Sequence, residues 1–268
     1  MARPPFQDSA YLRGIQYKDA SNLNARIALH RGFSTNAYGW SRWLFDRVVE
    51  TLGSAPRRIM EIGCGAGTIW TESRERIPPP WSLTLSDASV GMVTQARQAL
   101  GERACYLVCD AKAVPLRERP FGAILANHML YHVDERSRAL SGFRRALAPG
   151  GVFIASTVGD DHMFELDDYL RKVGVTDDFL GRQVSAPFTL ENGAAQLREH
   201  FDAVEVHRYA DNLEIAEVEP LIRYIESMTA GAMLPSSAID QLRADLGAVI
   251  AARGSVWITK SSGVFIAR

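Results

Sequence analysis

Glu61 lies two residues before the first of three glycines at alternate positions, Gly63, Gly65 and Gly67, at the end of the apolar run Ile59-Met60-Glu61-Ile62. Glycine has no Cβ and tolerates positive φ, so a glycine-rich turn that leaves a strand brings backbone against a ligand. A carboxylate at the edge of that turn repels a pyrophosphate but accepts hydrogen bonds from an ammonium group. The spacing is not the G-x-G-x-x-G of dinucleotide folds, because Thr68 stands where the third glycine would be, and no Gly-Lys-Ser/Thr closes it as in a phosphate-binding loop. An adenosine with a cationic amino-acid tail meets these requirements. Asp87 falls about twenty residues past the loop, at the end of the next apolar run, where a carboxylate accepts from both ribose hydroxyls in an open α/β sheet. The same side chain is also a candidate N-cap for the helix that carries Val93, Ala96 and Leu100. Asp110 closes a third run, Ala-Cys-Tyr-Leu-Val-Cys.

The pattern E-x-G-x-G-x-G after a hydrophobic strand resembles motif I of the class I S-adenosylmethionine-dependent methyltransferases, of the bacterial small-molecule, type 11 or UbiE-like sort. The resemblance is specific from Ile59 to Gly151 and generic elsewhere. It implies a doubly wound, Rossmann-like sheet of seven strands in the order 3-2-1-4-5-7-6, with strand 7 antiparallel. It also implies S-adenosyl-L-methionine as cofactor and S-adenosyl-L-homocysteine as product. Glu61, Gly63, Cys64, Gly65 and Gly67 would cradle the amino-acid tail, and Asp87, Ala88 and Met92 would lie along the ribose. Asp110 would take the adenine amine with Ala111 against the ring, and Asn127 and His128 would line the methyl end. In some relatives a tyrosine and an arginine of an N-terminal helical cover meet the cofactor carboxylate, roles that fall to Tyr17 and Arg26.

The elements that must position these groups are legible in order. Leu23, Ile27 and His30 recur at helical spacing behind Ser21 and Asn22, with Arg26 and His30 on one face. Trp40, Trp43, Leu44, Val48 and Leu52 trace a second helical stripe that stops at Gly53. Thr68 to Ile77 reads as the helix after the glycine loop, closed by Pro78-Pro79-Pro80. Strand four, Phe-Gly-Ala-Ile-Leu-Ala, runs into Asn127-His128-Met129-Leu130-Tyr131-His132, and Asp134 reads as the cap of the helix carrying Leu140, Phe143 and Leu147. Pro149-Gly150-Gly151 then precedes strand five. The resulting division is a helical cover over 1–53 and a catalytic domain over 54–268, with an insertion at about 159–187 and helices at 217–253 covering the acceptor.

Of 268 residues, 30 are Lys or Arg and 31 are Asp or Glu, a formal net charge of -1 that gives no reason to expect a nucleic-acid partner. Cys64, Cys105 and Cys109 form an odd set with no secretory h-region in Met1 to Ala10, which points to a reducing cytoplasm. Cys105, Leu107 and Cys109 share strand parity, so packing on one face is expected of them. No run is long enough to span a bilayer, and no Cys/His/Asp cluster has metal-ligand spacing. The chain is expected to act as a monomer or homodimer.

Methyl transfer from a sulfonium is an in-line displacement, so most of the work is orientation. His128 and His132 are the candidate bases and Tyr131 a candidate polarising group at the end of strand four. A histidine base predicts activity rising through a pKa near its ordinary value of about 6.5. The Asn/Asp-Pro-Pro-Tyr/Phe signature of base-modifying enzymes is absent, and the aromatic and apolar N-terminal segments favour a small, partly apolar acceptor methylated on O, N or C. The alternative is a methyltransferase fold that keeps the cofactor without transferring its methyl, as a cyclase or a cofactor-sensing module.

Overall fold

The computed structural model describes residues 21–114 and 120–268. Seven strands form one sheet in the order β3-β2-β1-β4-β5-β7-β6. They are β1 (Arg57–Ile62), β2 (Trp81–Asp87), β3 (Ala104–Val108), β4 (Phe121–Asn127), β5 (Leu147–Val158), β6 (Val204–Ile215) and β7 (Val256–Ala267). The pairs from β3 to β5 are parallel, and β7 runs antiparallel to both β5 and β6. β1 and β4 read as continuous apolar runs because both of their faces are covered.

One face packs a core centred on Ile124, Phe143, Phe153 and Phe265. Its main cover is helix α5 (Arg136–Ala146), with α8 (Gly193–Arg198) contributing Leu197. The other face packs Ile59, Leu83, Leu125 and Ile154 against α2 (Trp40–Leu52), α3 (Thr68–Glu72) and α4 (Val90–Leu100). A third core forms where the β6–β7 ribbon continues past β5. It gathers Leu29 of α1 (Ser21–Phe33), Leu166 of α6 (Phe164–Lys172), Ile222 of α9 (Val218–Ser227) and Leu242 of α10 (Ser236–Arg253). The segment before α2 thus shares a core with the segments after β5 and β6, although more than a hundred residues separate them in sequence.

Four local expectations differ from the structure. The helix after the glycine loop is short: α3 ends at Glu72, Ser73 leaves helical backbone at φ -109° and ψ 15°, and a single 3₁₀ turn, Arg74–Arg76, follows. Asp87 does not cap α4; Ser89 does, accepting from the Met92 N–H, which leaves Asp87 free for the loop. Asp134 does not cap α5 either: the N-cap is Glu135, whose side chain makes no capping bond and instead accepts from Arg138, while Asp134 accepts from the Glu135 N–H and from Lys112. Cys105 is exposed because β3 is an edge strand whose first residues are covered on the opposite face, at Ala104 and Tyr106, while the cover on the Cys105 face is at Leu107, and Cys109 lies beyond the strand end. In addition β5 begins at Leu147, with the Pro149-Gly150-Gly151 turn forming an irregularity in its register against β4 between Phe121 and Ala123.

Candidate active site

A cavity of about 700 Å³ opens at the carboxyl ends of the parallel strands, between them and the third core. This is where an open α/β sheet holds its ligands. The glycine loop forms its floor. Gly63, Gly65 and Gly67 all have positive φ, at 67°, 54° and 74°, which side chains at these positions would strain. A Cβ on Gly63 would lie 2.9 Å from Met129 Cγ, so the loop also packs directly under the β4 end. Gly67 does not line the cavity; it starts α3 and lets the loop approach α4, where its Cβ would meet Leu100 and Ala96 at 3.3 and 3.4 Å.

Glu61, the last but one residue of β1, is only 2 % exposed yet lines the cavity. Its donors are neutral: Trp70 Nε1–H at 2.5 Å and Asn127 Nδ2–H at 3.3 Å. Burial pushes its carboxyl up to about 8, and those two hydrogen bonds offset only part of the effect. Asn127 is fixed in turn, because its Oδ1 accepts from the Ser156 hydroxyl at 2.5 Å. Asp87 accepts from the Gly65 N–H at 3.0 Å and the Ser89 N–H at 2.8 Å. Burial raises its carboxyl as well, with the backbone N–H groups pulling the other way. Asp110 accepts from the Lys112 N–H at 2.9 Å and so starts the 3₁₀ turn Ala111–Ala113.

Of the three acids, Glu61 is last but one in β1, Asp87 ends β2 and Asp110 lies two residues past β3, and all line the cavity; Cys64, Gly65 and Ala88 also line it. Met92, Ala111 and Asn127 line it too. Arg26 reaches it from α1, with its guanidinium donating to the Ser227 hydroxyl at 3.2 Å and the Ser227 carbonyl at 2.6 Å. Tyr17 lies outside the described residues. A buried carboxyl that meets no cation among the described residues, a backbone loop with no Cβ at its closest points and two further acids make a site that fits an ammonium group, a thin chain and a polyhydroxyl sugar. Those are the parts of S-adenosylmethionine.

His128 follows β4 in the left-handed region at φ 46°, held there by its N–H donating to both the carbonyl and the hydroxyl of Ser156 at 3.1 Å. For a residue other than glycine this is an uncommon backbone state, and it turns the ring onto Trp40 at a centroid distance of 5.1 Å. Burial, with help from the Lys260 charge, lowers the His128 imidazole to about 4. Tyr131 and His132 stack edge to face at 4.6 Å in the next 3₁₀ turn and also line the cavity.

Sequence reading missed His162, Lys260 and Asp211. His162 follows β5 and its Nδ1 accepts from the Ser261 N–H at 3.1 Å, which places the proton of the neutral ring on Nε2. Lys260 of β7 lies opposite Asp211 of β6 and forms an ion pair with it, both side chains being buried. The polar break Thr-Lys-Ser-Ser inside an otherwise apolar last strand is the signal that marks Lys260. No group of three metal-ligating side chains occurs among the described residues, and none of their helices is long and apolar enough to cross a membrane.

Residues 60–155 match the family described as a methyltransferase domain. The chain is 29% identical over 219 residues to a malonyl-[acyl-carrier protein] O-methyltransferase of Geobacter sulfurreducens, covering 78% of this chain and 82% of that one. It is 27% identical over 138 residues to a ubiquinone/menaquinone biosynthesis C-methyltransferase, UbiE, of Xanthomonas oryzae pv. oryzae, covering 50% of this chain and 51% of that one. Among solved structures it is similar to phosphoethanolamine N-methyltransferase 2 of Haemonchus contortus in complex with S-adenosyl-L-methionine. The TM-score is 0.58 and the identity 20%, over 98% of this chain and 59% of that one, a likeness of fold.

Proposed function

Since the chain carries a class I S-adenosylmethionine-dependent methyltransferase domain, we propose that it transfers a methyl group to a small or carrier-bound acceptor held in the cavity between the strand ends and a cover made by α1, α6 and α9. The observation that carries the reading is Glu61, a buried carboxyl at about 8 that faces the cavity and whose donors among the described residues, Trp70 and Asn127, are neutral. An ammonium beside it supplies the missing positive charge. When bound, S-adenosylmethionine supplies an electrophilic methyl group on a sulfonium. Glu61 takes the ammonium of its amino-acid tail and Asp87 its ribose hydroxyls. Asp110 and Ala111 flank the adenine, and Gly63 to Gly65 let the tail lie against backbone. Arg26 sits on the cover side, and Asn127 fixes Glu61 from the β4 end.

At the β4 end the chain's residues orient the acceptor and exclude water. Trp40 covers His128 from α2, and Tyr131 with His132 forms the adjoining wall. His128 stays uncharged at neutral pH, so in this reading it holds the acceptor as a hydrogen-bonding neutral ring, and its basicity is low for abstracting a proton. With cofactor saturating, kcat is therefore expected to be flat from about pH 5.5 to 7.5, where an ordinary histidine base near 6.5 would give a rise. A tenfold rise across that interval that disappears in His128→Gln would restore the base.

Binding itself is tested by heating the protein with S-adenosylhomocysteine. A ligand at a hundred times its Kd adds about 2.7 kcal/mol to the folded state. No shift in unfolding temperature at millimolar ligand would remove the cofactor reading.

A further inference from the structure

Besides the three acids the cavity is lined by a second cluster of titratable side chains. His30 from α1, His128 after β4 and His162 after β5 line it, with Tyr224 of α9 edge-on to His30 at 5.7 Å and His162 at 6.2 Å from His30. Lys260 lines the cavity as well, at the point where β7 runs past its last pairing with β5, while its partner Asp211 does not. Asp211 is held by the segment after α1, accepting from the Ser34 hydroxyl at 2.7 Å and the Asn36 N–H at 3.0 Å, both residues that line the cavity, and by its own strand through the Asn212 N–H at 2.9 Å. The ammonium has three donors, of which Asp211 takes one. Met163, which accepts from the Tyr224 hydroxyl, and Leu166, Phe179, Val184 and Met228 give the cavity a largely apolar wall, in which the buried Asp167 is already satisfied by Arg182 and the Gly181 N–H.

We propose that this part of the cavity receives the reacting head of the acceptor, that the head is a carboxylate on an apolar chain, and that Lys260, positioned by Asp211, is the residue that selects it. The proposal rests on the methyltransferase reading above and names its acceptor class. Of the buried pair it is Lys260 and not Asp211 that lines the cavity, and the carboxylate is further satisfied by Ser34, Asn36 and Asn212, so the cation is the member nearer a ligand: an anion is attracted and an amine repelled. The three imidazoles are uncharged: burial is the main cause for each, placing His128 at about 4, His162 at about 3 and His30 well below the ordinary value. The Lys260 charge lowers all three, while Asp211 opposes it appreciably at His162 alone, as the last of five influences there. Neutral rings of this kind offer N–H donors to an anion and are weak bases for a hydroxyl.

A carboxylate needs no base. Its oxygen lone pair forms the new O–CH₃ bond as the methyl–sulfur bond breaks and its electron pair stays on sulfur. An anion and a sulfonium become a neutral ester and a neutral thioether, and no proton is released.

The test uses the full chain saturated with S-adenosylhomocysteine and titrated calorimetrically with decanoate, decanol and decylamine. Decanoate is expected to bind at least about tenfold more tightly than the other two. Lys260→Met should lose that preference while its S-adenosylhomocysteine affinity stays within about twofold of wild type. Because the single change strands Asp211, the paired variant Lys260→Met with Asp211→Asn is measured beside it and is expected to lose the preference likewise. Equal binding of decanoate and decanol, a lead for decylamine, no binding of any probe, or a preference that survives both variants would overturn the proposal. Failure of S-adenosylhomocysteine to bind wild type would instead overturn the reading beneath it.

Discussion

Glu61→Gln is expected to weaken S-adenosylhomocysteine binding about 100-fold or more and to make the ligand-free protein more stable at pH 7, by on the order of 1–2 kcal/mol. The two effects have one cause. In the ligand-free state the carboxyl titrates at about 8 against an ordinary 4.5, so over that interval the native state holds a proton that the unfolded chain has released. Proton uptake on folding means that the stability this group contributes is complete below about 4.5 and is lost as pH rises through 8. Gln removes that dependence. It keeps an acceptor for Trp70 Nε1–H, but its own amide meets the Asn127 amide, whose orientation Ser156 fixes, and this offsets part of the gain. A bound ammonium reverses the preference by making the ionised form the favoured one. Binding at pH 7 should therefore release a proton, visible as a difference in apparent enthalpy between buffers of unlike ionisation heat, and affinity should rise toward pH 8. A Gln variant that binds like wild type, or that is less stable at pH 7, would show that Glu61 is a structural acid.

The parallel half of the sheet was legible because its information is local. Each strand of the β1–β4 set ends at or just before a polar side chain that lines the cavity, so the order of apolar runs sufficed to bring Glu61, Asp87, Asp110 and Asn127 with His128 to one edge of the sheet, while their roles came from the family resemblance. The part of the cavity lined by Lys260 and His162 was not legible, for the opposite reason. Lys260 and Asp211 meet only because β6 and β7 pair antiparallel in one register, and a shift of a single residue would turn either side chain to the other face. His162 is placed by backbone bonds from the Gly159–Met163 turn to β7, about a hundred residues later in the chain. Capping errors have a different origin. Asp87 and Asp134 each sit where a cap would be sought, but Asp87 turns back to the glycine loop and Asp134 faces Lys112, and sequence spacing does not distinguish these partners.

For Asp87, substitution by Ala and by Asn should separate a brace from a binding group. Its two oxygens already accept from the Gly65 and Ser89 N–H groups, so the side chain ties the glycine loop to the start of α4 before any ligand arrives. Asp87→Ala leaves both N–H groups without this acceptor and is expected to cost about 1–3 kcal/mol of stability together with about 100-fold or more in S-adenosylhomocysteine affinity. Asp87→Asn retains one acceptor and the side-chain volume. Burial raises the native carboxyl above its ordinary value, so its ionised form carries a cost at neutral pH that Asn does not. The Asn variant should thus lie within about 1 kcal/mol of wild type in urea unfolding. Its affinity should nevertheless fall at least about tenfold, because charge-assisted bonds to ribose hydroxyls become neutral ones and one of the two acceptors becomes a donor. Affinity in the order wild type, Asn, Ala, with stability lost only in Ala, is the signature of a residue that both holds the loop and grips the sugar. If Asn binds as tightly as wild type, the brace alone accounts for Asp87, and the ribose contacts lie elsewhere in the cavity.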